Sequence, residues 1–270
     1  MDLKAIRFEV DDRIATITLD RPERLNAWTG RMHTEYRWAV DQAERDPDVR
    51  VIVVTGAGRG FCAGADARAL SGHADRGGYD PGTPDDIATP GFGVSPELDH
   101  DFAFHFGLTT PVIAAINGPA AGVGLVLACY CDLRFAARGV KLTTAHGRLN
   151  LPAEYGLSWL LPRLVGLGRA NDLLLSSRVF LSEEAEAMGL VNAVVDHEDL
   201  LDHTYAYARM LATTVSAGSL AATKRQIGLD LHRGLGASVA ESAVRLDAMM
   251  GEPDFAEGVA ALDEKRPPNF

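Results

Sequence analysis

Glu154 is a candidate for moving protons, because most of its neighbours in the sequence are apolar. It lies in RLNLPAEYGLSWLLPRLVG, residues 148–166, where most of the neighbouring side chains are apolar. A carboxylate among apolar neighbours has a raised pKa and can serve as a general base or a general acid. The alternative is an exposed carboxylate in the first turn of a helix, where the helix dipole stabilises it. Spacing alone slightly favours that alternative. Glu154 is nevertheless a candidate, because its neighbours in the sequence are apolar.

Two glycine-rich segments could supply backbone N–H groups that bind an oxygen atom. GAGRGFCAGAD, residues 56–66, directly follows an apolar run, and glycines clustered after a strand can present N–H groups to an oxygen or a phosphate. INGPAAGVGLVLACYCD, residues 116–132, opens an apolar helix whose first N–H groups lack partners within the helix. Such groups stabilise a carbonyl oxygen that becomes negative in a transition state. A tight turn and close helix packing are the alternatives for the two segments.

The first glycine segment is also a candidate for dinucleotide binding, but its spacing argues against that function. The dinucleotide motif requires G-x-G-x-x-G at the start of a helix and an acidic residue about 20 residues further on. Here the third glycine comes one position early, at Gly60, and Phe61 takes the expected place. The residues that follow are rich in glycine and proline and do not read as a second strand.

The elements that must position these residues alternate between strands and helices. The apolar pattern predicts a hairpin over 6–19 and a strand over 49–56 that is buried on both faces. Further predictions are helices near 30–45, 98–108 and 122–131 and strands at 112–116 and 132–136. Such alternation is typical of the α/β class. After Val195 the pattern becomes helical only, from about residue 199 to residue 264.

Residues 71–97, SGHADRGGYDPGTPDDIATPGFGVSPE, differ from the rest of the chain in composition. Gly, Pro and Asp dominate the segment, apolar residues are few, and no periodicity is present. Loops of this length inside a compact domain are usually lids, binding loops or disordered segments. The composition therefore predicts a lid, a binding loop or a disordered segment.

The overall composition excludes several functional classes. The chain has 270 residues, is 47% hydrophobic, and carries 26 basic and 37 acidic residues for a formal net charge of −11. The apolar fraction is that of a globular protein with a core of ordinary size. The acidic balance argues against nucleic acid and against an anionic membrane surface, since both need a basic footprint. A small anionic ligand, held by two or three well-placed cations, remains compatible with it.

The cysteines and the most apolar segment favour a reducing, aqueous compartment. The three cysteines have no zinc-like spacing with histidines, so we expect free or buried thiols and no metal site. Residues 111–131 are almost uncharged and as long as a membrane span, but Asn117-Gly118-Pro119 would break a helix at their centre. The first residues carry charges and lack the apolar stretch of a signal peptide. We therefore expect a cytoplasmic protein without a membrane segment.

Six segments in the same order resemble the enoyl-CoA hydratase/isomerase superfamily, the crotonases. They are LDRPERLNAW at 19–28, VRVIVVTGAGRGFCAGAD at 49–66, PVIAAINGPAAGVG at 111–124, LLPRLVG at 160–166, LSEEAEAMGLVNAVV at 181–195 and FAEGVAALDEKRPPNF at 255–270. The resemblance implies an α/β fold, a spiral of ββα units with a C-terminal helical region. It also implies assembly as a homotrimer or a dimer of trimers. We accordingly place acyl-CoA binding and catalysis in a spiral core, 1–198, and oligomerisation in a helical region, 199–270.

The resemblance further implies the chemistry of the site. Family members bind the thioester carbonyl of an acyl-CoA between two backbone N–H groups, which stabilise an enolate oxyanion. By position these groups belong to Ala65, in F-C-A-G-A-D, and to Val123, in A-G-V-G, where the family usually has glycine. Because CoA is part of the substrate, no separate cofactor is implied. The loop at 71–97 is then expected to cover the acyl pocket, to set acyl specificity and to be mobile when the pocket is empty.

The motif positions also imply contacts with the CoA moiety. Arg24 and Arg59 are candidate cations by their place in the motif loops, and Lys265 and Arg266 lie at a terminus that often reaches a neighbouring subunit's CoA in the family. For each of these cations, a solvated surface charge is the alternative. The other predicted binding positions lie beside the oxyanion residues and in the first motif loop: Ala27, Ala63, Asp66 and Gly122.

Two positions depart from the family's hydratases and change the predicted reaction. Those hydratases use two glutamates, and the corresponding places are taken here by Val126 and His146. Another branch, which includes isomerases and a dehalogenase, carries its acid just before the segment that reads S-W-L-L-P-R here, and Glu154 matches that place. One carboxylate can remove a proton from one carbon and return it to another. The sequence therefore favours enoyl-CoA isomerisation, of a double bond or a ring.

Two other functions remain open on the sequence. Hydration usually needs a second proton-transfer group, and His146 could take that role beside Glu154, since imidazole titrates near neutral pH. A histidine that lines a pocket is, however, more often a packing or hydrogen-bonding residue. The second alternative is a non-catalytic CoA-binding or assembly protein on the same scaffold.

Overall fold

Two β-sheets carry the segments that lead to the predicted site. The computed structural model describes residues 1–67, 71, 75 and 98–270. The strands are β1 Ile6–Asp11, β2 Ile14–Leu19, β3 Val51–Gly56, β4 Val112–Ile116, β5 Ala120–Ala121, β6 Leu133–Ala137, β7 Lys141–Thr143, β8 Phe180–Leu181 and β9 Ala193–Val195. The larger sheet has the order β1-β2-β3-β4-β6-β9, and the smaller sheet has the order β5-β7-β8.

The larger sheet begins with a hairpin and continues as a parallel sheet. β1 and β2 pair antiparallel with Ile6 opposite Leu19, which confirms the predicted hairpin. The turn residues Asp12 and Arg13 have φ of 47° and 63°, the left-handed conformations that match the twist of a two-residue hairpin. From β2 to β9 every neighbouring pair is parallel. All six residues of β3 are buried, so both of its faces are covered, as the apolar run predicts.

The parallel pairing of β3 and β4 brings the two glycine-rich segments to one edge of the sheet. Thr55 lies opposite Ala115 in this pair, so both strands end at the same level. β3 ends at Gly56, where the first glycine-rich segment begins. β4 ends at Ile116, where the second begins. The carboxyl ends of neighbouring parallel strands are a common place for a binding site in α/β folds.

The helices confirm most of the predicted pattern. They are α1 Gly30–Arg45, α2 Val123–Tyr130, α3 Leu157–Val165, α4 Leu167–Ser176, α5 Ser182–Ala187, α6 Leu200–Thr214, α7 Ala217–Asp230, α8 Leu235–Met250 and α9 Pro253–Glu264. α1 begins at Thr29, whose hydroxyl accepts a hydrogen bond from the Met32 N–H at 3.1 Å and so caps the helix. Every residue of α2 is buried, as its apolar sequence predicts.

The predicted helix over 98–108 is wrong in extent. The structure has only a short 3-10 helix, Ala103–Gly107, in that region. Phe102 precedes it with φ of 59°, a conformation that an α-helix cannot continue through. The loop predicted over 71–97 lies outside the described residues, apart from Ser71 and Asp75.

The C-terminal helices attach to the sheet through α6 and α7. In α6 the buried residues Leu200, Thr204, Ala208 and Ala212 recur every four positions and form one face against β2, β3, β4 and β6. In α7 the buried Lys224 ammonium donates to the Thr110 carbonyl at 2.9 Å and to the Asp132 carboxylate at 2.6 Å. The helical region is therefore tied to the chain segments on either side of β4.

The most apolar stretch forms core elements. Residues 111–131 contain β4, β5 and α2, with the chain turning at Asn117 and Gly118. Among the described residues, no helix is long and apolar enough to cross a membrane. Cys62, Cys129 and Cys131 are free and buried, as predicted.

Candidate functional site

The two glycine-rich segments pack directly against each other. The Cys62 N–H donates to the Pro119 carbonyl at 3.1 Å, and the Ala121 N–H donates to the Cys62 carbonyl at 3.0 Å. A Cβ on Gly124 would lie 2.1 Å from the Cys62 oxygen, closer than any real contact. Only glycine therefore allows the start of α2 to approach the first segment this closely.

Ala65 and Val123 present N–H groups that donate to no other residue the structure describes. The Trp28 N–H donates to Gly64 and the Asp66 N–H donates to Trp28, both at 2.8 Å, so the intervening Ala65 N–H points away from this pairing. Val123 is the first residue of α2, where no intrahelical acceptor exists. Within the described part of the chain, neither N–H donates a hydrogen bond. Each of the two N–H groups is therefore available to donate to an oxygen atom.

Gly122 and Ala145 bring the segment that contains His146 to the start of α2. The Gly122 N–H donates to the Thr143 carbonyl at 3.0 Å. A Cβ on Gly122 would lie 4.0 Å from the Cβ of Ala145, and the φ of 49° and ψ of −120° at Gly122 suit only glycine. His146 follows in a short 3-10 helix and is 7% exposed. The position of His146 is therefore next to the predicted oxyanion site.

Glu154 lies in the chain between the His146 helix and α3, and it is half-buried. α3 begins only at Leu157, so Glu154 is not an exposed residue of a helix's first turn. Burial raises the pKa of the Glu154 carboxyl, and the charge of His146 lowers that pKa in part. Burial and the charge of His146 thus both act on the Glu154 carboxyl, but Leu149 and Leu151, two of its apolar neighbours in the sequence, are exposed.

Val126 occupies the place where the resemblance puts a hydratase glutamate, one turn after Val123 on α2. It is 2% exposed and belongs to the hydrophobic core. No proton can be moved by this side chain. Among the residues described, no group of three His, Cys, Asp or Glu side chains could hold a metal ion.

The loop that carries Arg24 and Ala27 is held by Asn26, a residue that sequence reasoning missed. The fully buried Asn26 side chain donates to the carbonyls of Ala57 at 3.0 Å and Gly60 at 2.7 Å. It ties this loop to the one that carries Arg59. Arg24 and Arg59 are both exposed, as a role in binding phosphate groups from solvent requires. In the sequence, Asn26 differs from its neighbours only as an uncharged polar residue between the apolar Leu25 and Ala27.

Asp66 is used within the fold. Its carboxylate accepts from the Arg21 guanidinium at 2.9 Å, and the same guanidinium donates to the Ala27 carbonyl at 2.5 Å. This ion pair holds the first motif loop beside Ala65. Ala63 is half-buried, and its N–H donates to Leu25 at 3.0 Å. Lys265 is exposed immediately after α9, with φ of 53°.

Comparison with known proteins gives one consistent result. A family model described as "Enoyl-CoA hydratase/isomerase" matches residues 9–270. The chain is 37% identical to a 1,2-epoxyphenylacetyl-CoA isomerase of Escherichia coli, over 99% of this chain and 98% of that protein. It is 36% identical to a probable enoyl-CoA hydratase of Rhodobacter capsulatus, over 100% and 99%. A crystal structure of a probable enoyl-CoA hydratase/isomerase from Mycobacterium abscessus matches with a TM-score of 0.86 at 32% identity, covering 98% of each chain.

Proposed function

Because the chain belongs to the enoyl-CoA hydratase/isomerase family, we propose that it isomerises an enoyl-CoA by way of a thioester enolate. The observation that carries this proposal is the half-buried Glu154, whose pKa is raised, in a chain that also has two backbone N–H groups without an acceptor among the described residues. Ala65 and Val123 supply those N–H groups. The substrate class is an acyl-CoA thioester, and the CoA is part of the substrate, so the proposed reaction needs no separate cofactor.

The proposed steps move one proton and one pair of double-bond electrons. The Glu154 carboxylate removes a proton from C2 of a 3-enoyl-CoA, and the C2–H electrons pass into the thioester as an enolate. The N–H groups of Ala65 and Val123 stabilise the enolate oxygen, and each such donor contributes about 10²–10³-fold in rate. The protonated Glu154 then returns the proton to C4 as the double bond forms between C2 and C3. The product is a 2-enoyl-CoA, and Glu154 returns to its carboxylate form.

Val126 supports isomerisation over hydration. Addition of water to a 2-enoyl-CoA usually needs one group to deprotonate the water and another to protonate C2. Glu154 could perform one of these steps, and among the described residues His146, whose charge acts on the Glu154 carboxyl, is the candidate for the other. Hydration by Glu154 with His146 is therefore the second candidate function. It is favoured by the influence of the His146 charge on the Glu154 carboxyl.

Two substrates distinguish the candidates. With a straight-chain 3-enoyl-CoA, we expect the absorbance of the conjugated thioester to rise as 2-enoyl-CoA forms. With crotonyl-CoA, we expect that absorbance to persist. Rapid loss of the crotonyl-CoA absorbance, with formation of the 3-hydroxy product and no turnover of the 3-enoyl-CoA, would establish hydration instead. Binding of acyl-CoA without any turnover would favour the non-catalytic CoA-binding protein.

We further propose that Arg24 and Arg59 bind the phosphate groups of CoA. Their replacement by Ala, one at a time, is expected to raise KM by about three- to fivefold at low salt, since one exposed ion pair contributes up to about 1 kcal/mol. Added salt should reduce the difference, because it screens exposed charges. Arg45→Ala is the matched control, since Arg45 is an exposed arginine at the end of α1, paired with Asp41. An unchanged KM in both variants would contradict the assignment.

The exposed apolar residues of α8 and α9 support assembly as a homotrimer or a dimer of trimers. α8 has no buried residue in the single chain. Its exposed apolar side chains and those of α9 include Leu235, Val239, Val244, Leu246, Met250, Phe255, Val259 and Leu262. Large apolar surfaces of this kind mark protein interfaces. A partner subunit would also bring its own Lys265 to a neighbour's CoA. Sedimentation equilibrium that finds only monomers at micromolar concentration would contradict this assembly.

A further inference from the structure

Tyr130 joins the helix of the oxyanion site to the peptide of the candidate base. It is the last residue of α2, the helix whose first residue is Val123. Its hydroxyl donates a hydrogen bond to the Tyr155 carbonyl at 2.6 Å. Tyr155 directly follows Glu154 in the chain. One hydrogen bond therefore connects the two parts of the proposed catalytic site.

The peptide after Glu154 has a conformation that needs such support. Tyr155 has φ of 52° and Gly156 has φ of 72°, so two consecutive residues are left-handed. The left-handed conformation is unfavourable for a tyrosine and persists only where its surroundings hold it. A Cβ on Gly156 would lie 2.9 Å from the Tyr130 hydroxyl oxygen, so glycine there makes room for the hydroxyl. The left-handed peptide at 155–156 and the absence of a side chain on Gly156 thus both fit a hydrogen bond from the Tyr130 hydroxyl.

Aromatic packing holds the Tyr130 ring in place. Tyr130 is 5% exposed, and its ring stacks on Phe102 at 6.4 Å between centroids. Phe102 in turn meets the Tyr155 ring edge-on at 5.2 Å. Phe102 is therefore in contact with the rings of both tyrosines, and the hydroxyl has little freedom to move away from its acceptor.

The Tyr130 hydroxyl stays protonated across the working pH range. Burial raises its pKa to about 12. It can therefore donate to the Tyr155 carbonyl at every pH at which Glu154 would act, and it is not itself suited to exchange protons with a substrate. Its contribution would be geometric.

We propose that Tyr130 is a positioning residue, which sets the distance between the Glu154 carboxylate and the enolate oxygen bound at Val123. The proposal rests on Glu154 being the base of the proposed function. Proton transfer depends steeply on such distances, and a displacement of about 1 Å can cost about 10²-fold in rate. Without the hydroxyl, the 154–156 peptide would relax and the carboxyl would gain contact with water.

The test is Tyr130→Phe, which keeps the ring and removes only the hydroxyl. We expect kcat for the 3-enoyl-CoA to fall about tenfold, with KM unchanged within error, because binding groups remain in place. We also expect the pKa of the Glu154 carboxyl, followed by ¹³C NMR of labelled glutamate, to move down toward its ordinary value. The resonance is assigned by its loss in Glu154→Gln.

Tyr205→Phe is the matched control. The Tyr205 hydroxyl of α6 also forms a partly buried hydrogen bond, with the Thr16 hydroxyl at 2.9 Å. That bond does not involve Glu154 or the residues next to it. This variant should keep kcat and the Glu154 pKa of the parent while losing similar stability in thermal unfolding. An unchanged Glu154 pKa in Tyr130→Phe, or equal changes of KM and kcat, would overturn the proposal. If the parent protein turns over no acyl-CoA, the proposed function fails, and the NMR titration alone decides the role of Tyr130.

Discussion

Replacement of Glu154 by Gln is expected to lower kcat for 3-enoyl-CoA isomerisation by about 10³-fold, the scale of a well-placed proton-transfer group. Glutamine has nearly the same size and can still form hydrogen bonds, but its amide cannot take up the proton from C2. KM should change little, because CoA and the thioester oxygen are bound by other groups. Steady-state kinetics with purified variants would measure both effects.

Glu9→Gln is the control for this change. Glu9 is an exposed glutamate of β1, so its replacement alters the net charge equally and leaves Glu154, His146, Ala65 and Val123 in place. Activity of Glu154→Gln close to that of the parent would rule out Glu154 as the proton shuttle. It would leave His146, whose charge acts on the Glu154 carboxyl, as the other proton-transfer candidate.

The pH dependence provides an independent check on the same carboxyl. Burial raises the pKa of Glu154 above its ordinary value, so the active carboxylate form is lost at a higher pH than for an exposed glutamate. We therefore expect kcat/KM to fall as the pH is lowered from neutrality, and to fall at a higher pH than it would for an exposed glutamate. The residual activity of Glu154→Gln should lack that fall.

Gly124→Ala is expected to abolish most of the activity by separating the two oxyanion donors. The added Cβ would lie 2.1 Å from the Cys62 carbonyl oxygen and 2.9 Å from its carbon, and backbone atoms cannot yield as a flexible side chain can. The first segment, with Ala65, must move away from α2, with Val123. Loss of one oxyanion donor costs about 10²–10³-fold in kcat. We also expect a lower free energy of unfolding, by about 1–3 kcal/mol for an overpacked site.

Gly168→Ala separates this effect from the general consequences of replacing a glycine. Gly168 lies in α4, is exposed, and has no atom within 4 Å of its added Cβ. Alanine there should leave kcat unchanged and raise stability slightly, by about 0.5–1 kcal/mol, because alanine favours the helix. Circular dichroism and thermal unfolding would show whether Gly124→Ala remains folded. A folded Gly124→Ala protein with full activity would contradict the proposed oxyanion site.

Much of the fold could be predicted because it follows from local patterns. The alternating residues of 6–19 predict a hairpin, and the apolar run of 49–56 predicts a buried strand. Both predictions are confirmed. The motifs led to the α/β fold and to the family, and the family model and the structural neighbours confirm both. The motifs also marked Ala65, Val123 and Glu154 as candidates.

The error over 98–108 has a tertiary cause. A helix was predicted over these residues, but Phe102 adopts a left-handed conformation. Its carbonyl accepts from the His105 side chain at 2.7 Å, while the other nitrogen of that ring bonds to the Tyr36 hydroxyl at 2.7 Å. Its own ring packs on Trp28. No local pattern contains the contacts with Tyr36 and Trp28, because those residues are more than sixty positions away in the chain.

The amino-acid sequence alone established which chemical groups are present. These are glycines where backbones must approach, one carboxylate among residues that are apolar in the sequence, and Val126 in place of an acid. Their types and order follow from the chain itself. The environment of Glu154 required the folded structure, because its half-buried state and raised pKa depend on what packs around it. So did the links through Asn26 and Tyr130, since each hydrogen bond joins residues about 25 or more positions apart. Such bonds exist only after the parallel strands have brought distant segments to one edge of the sheet.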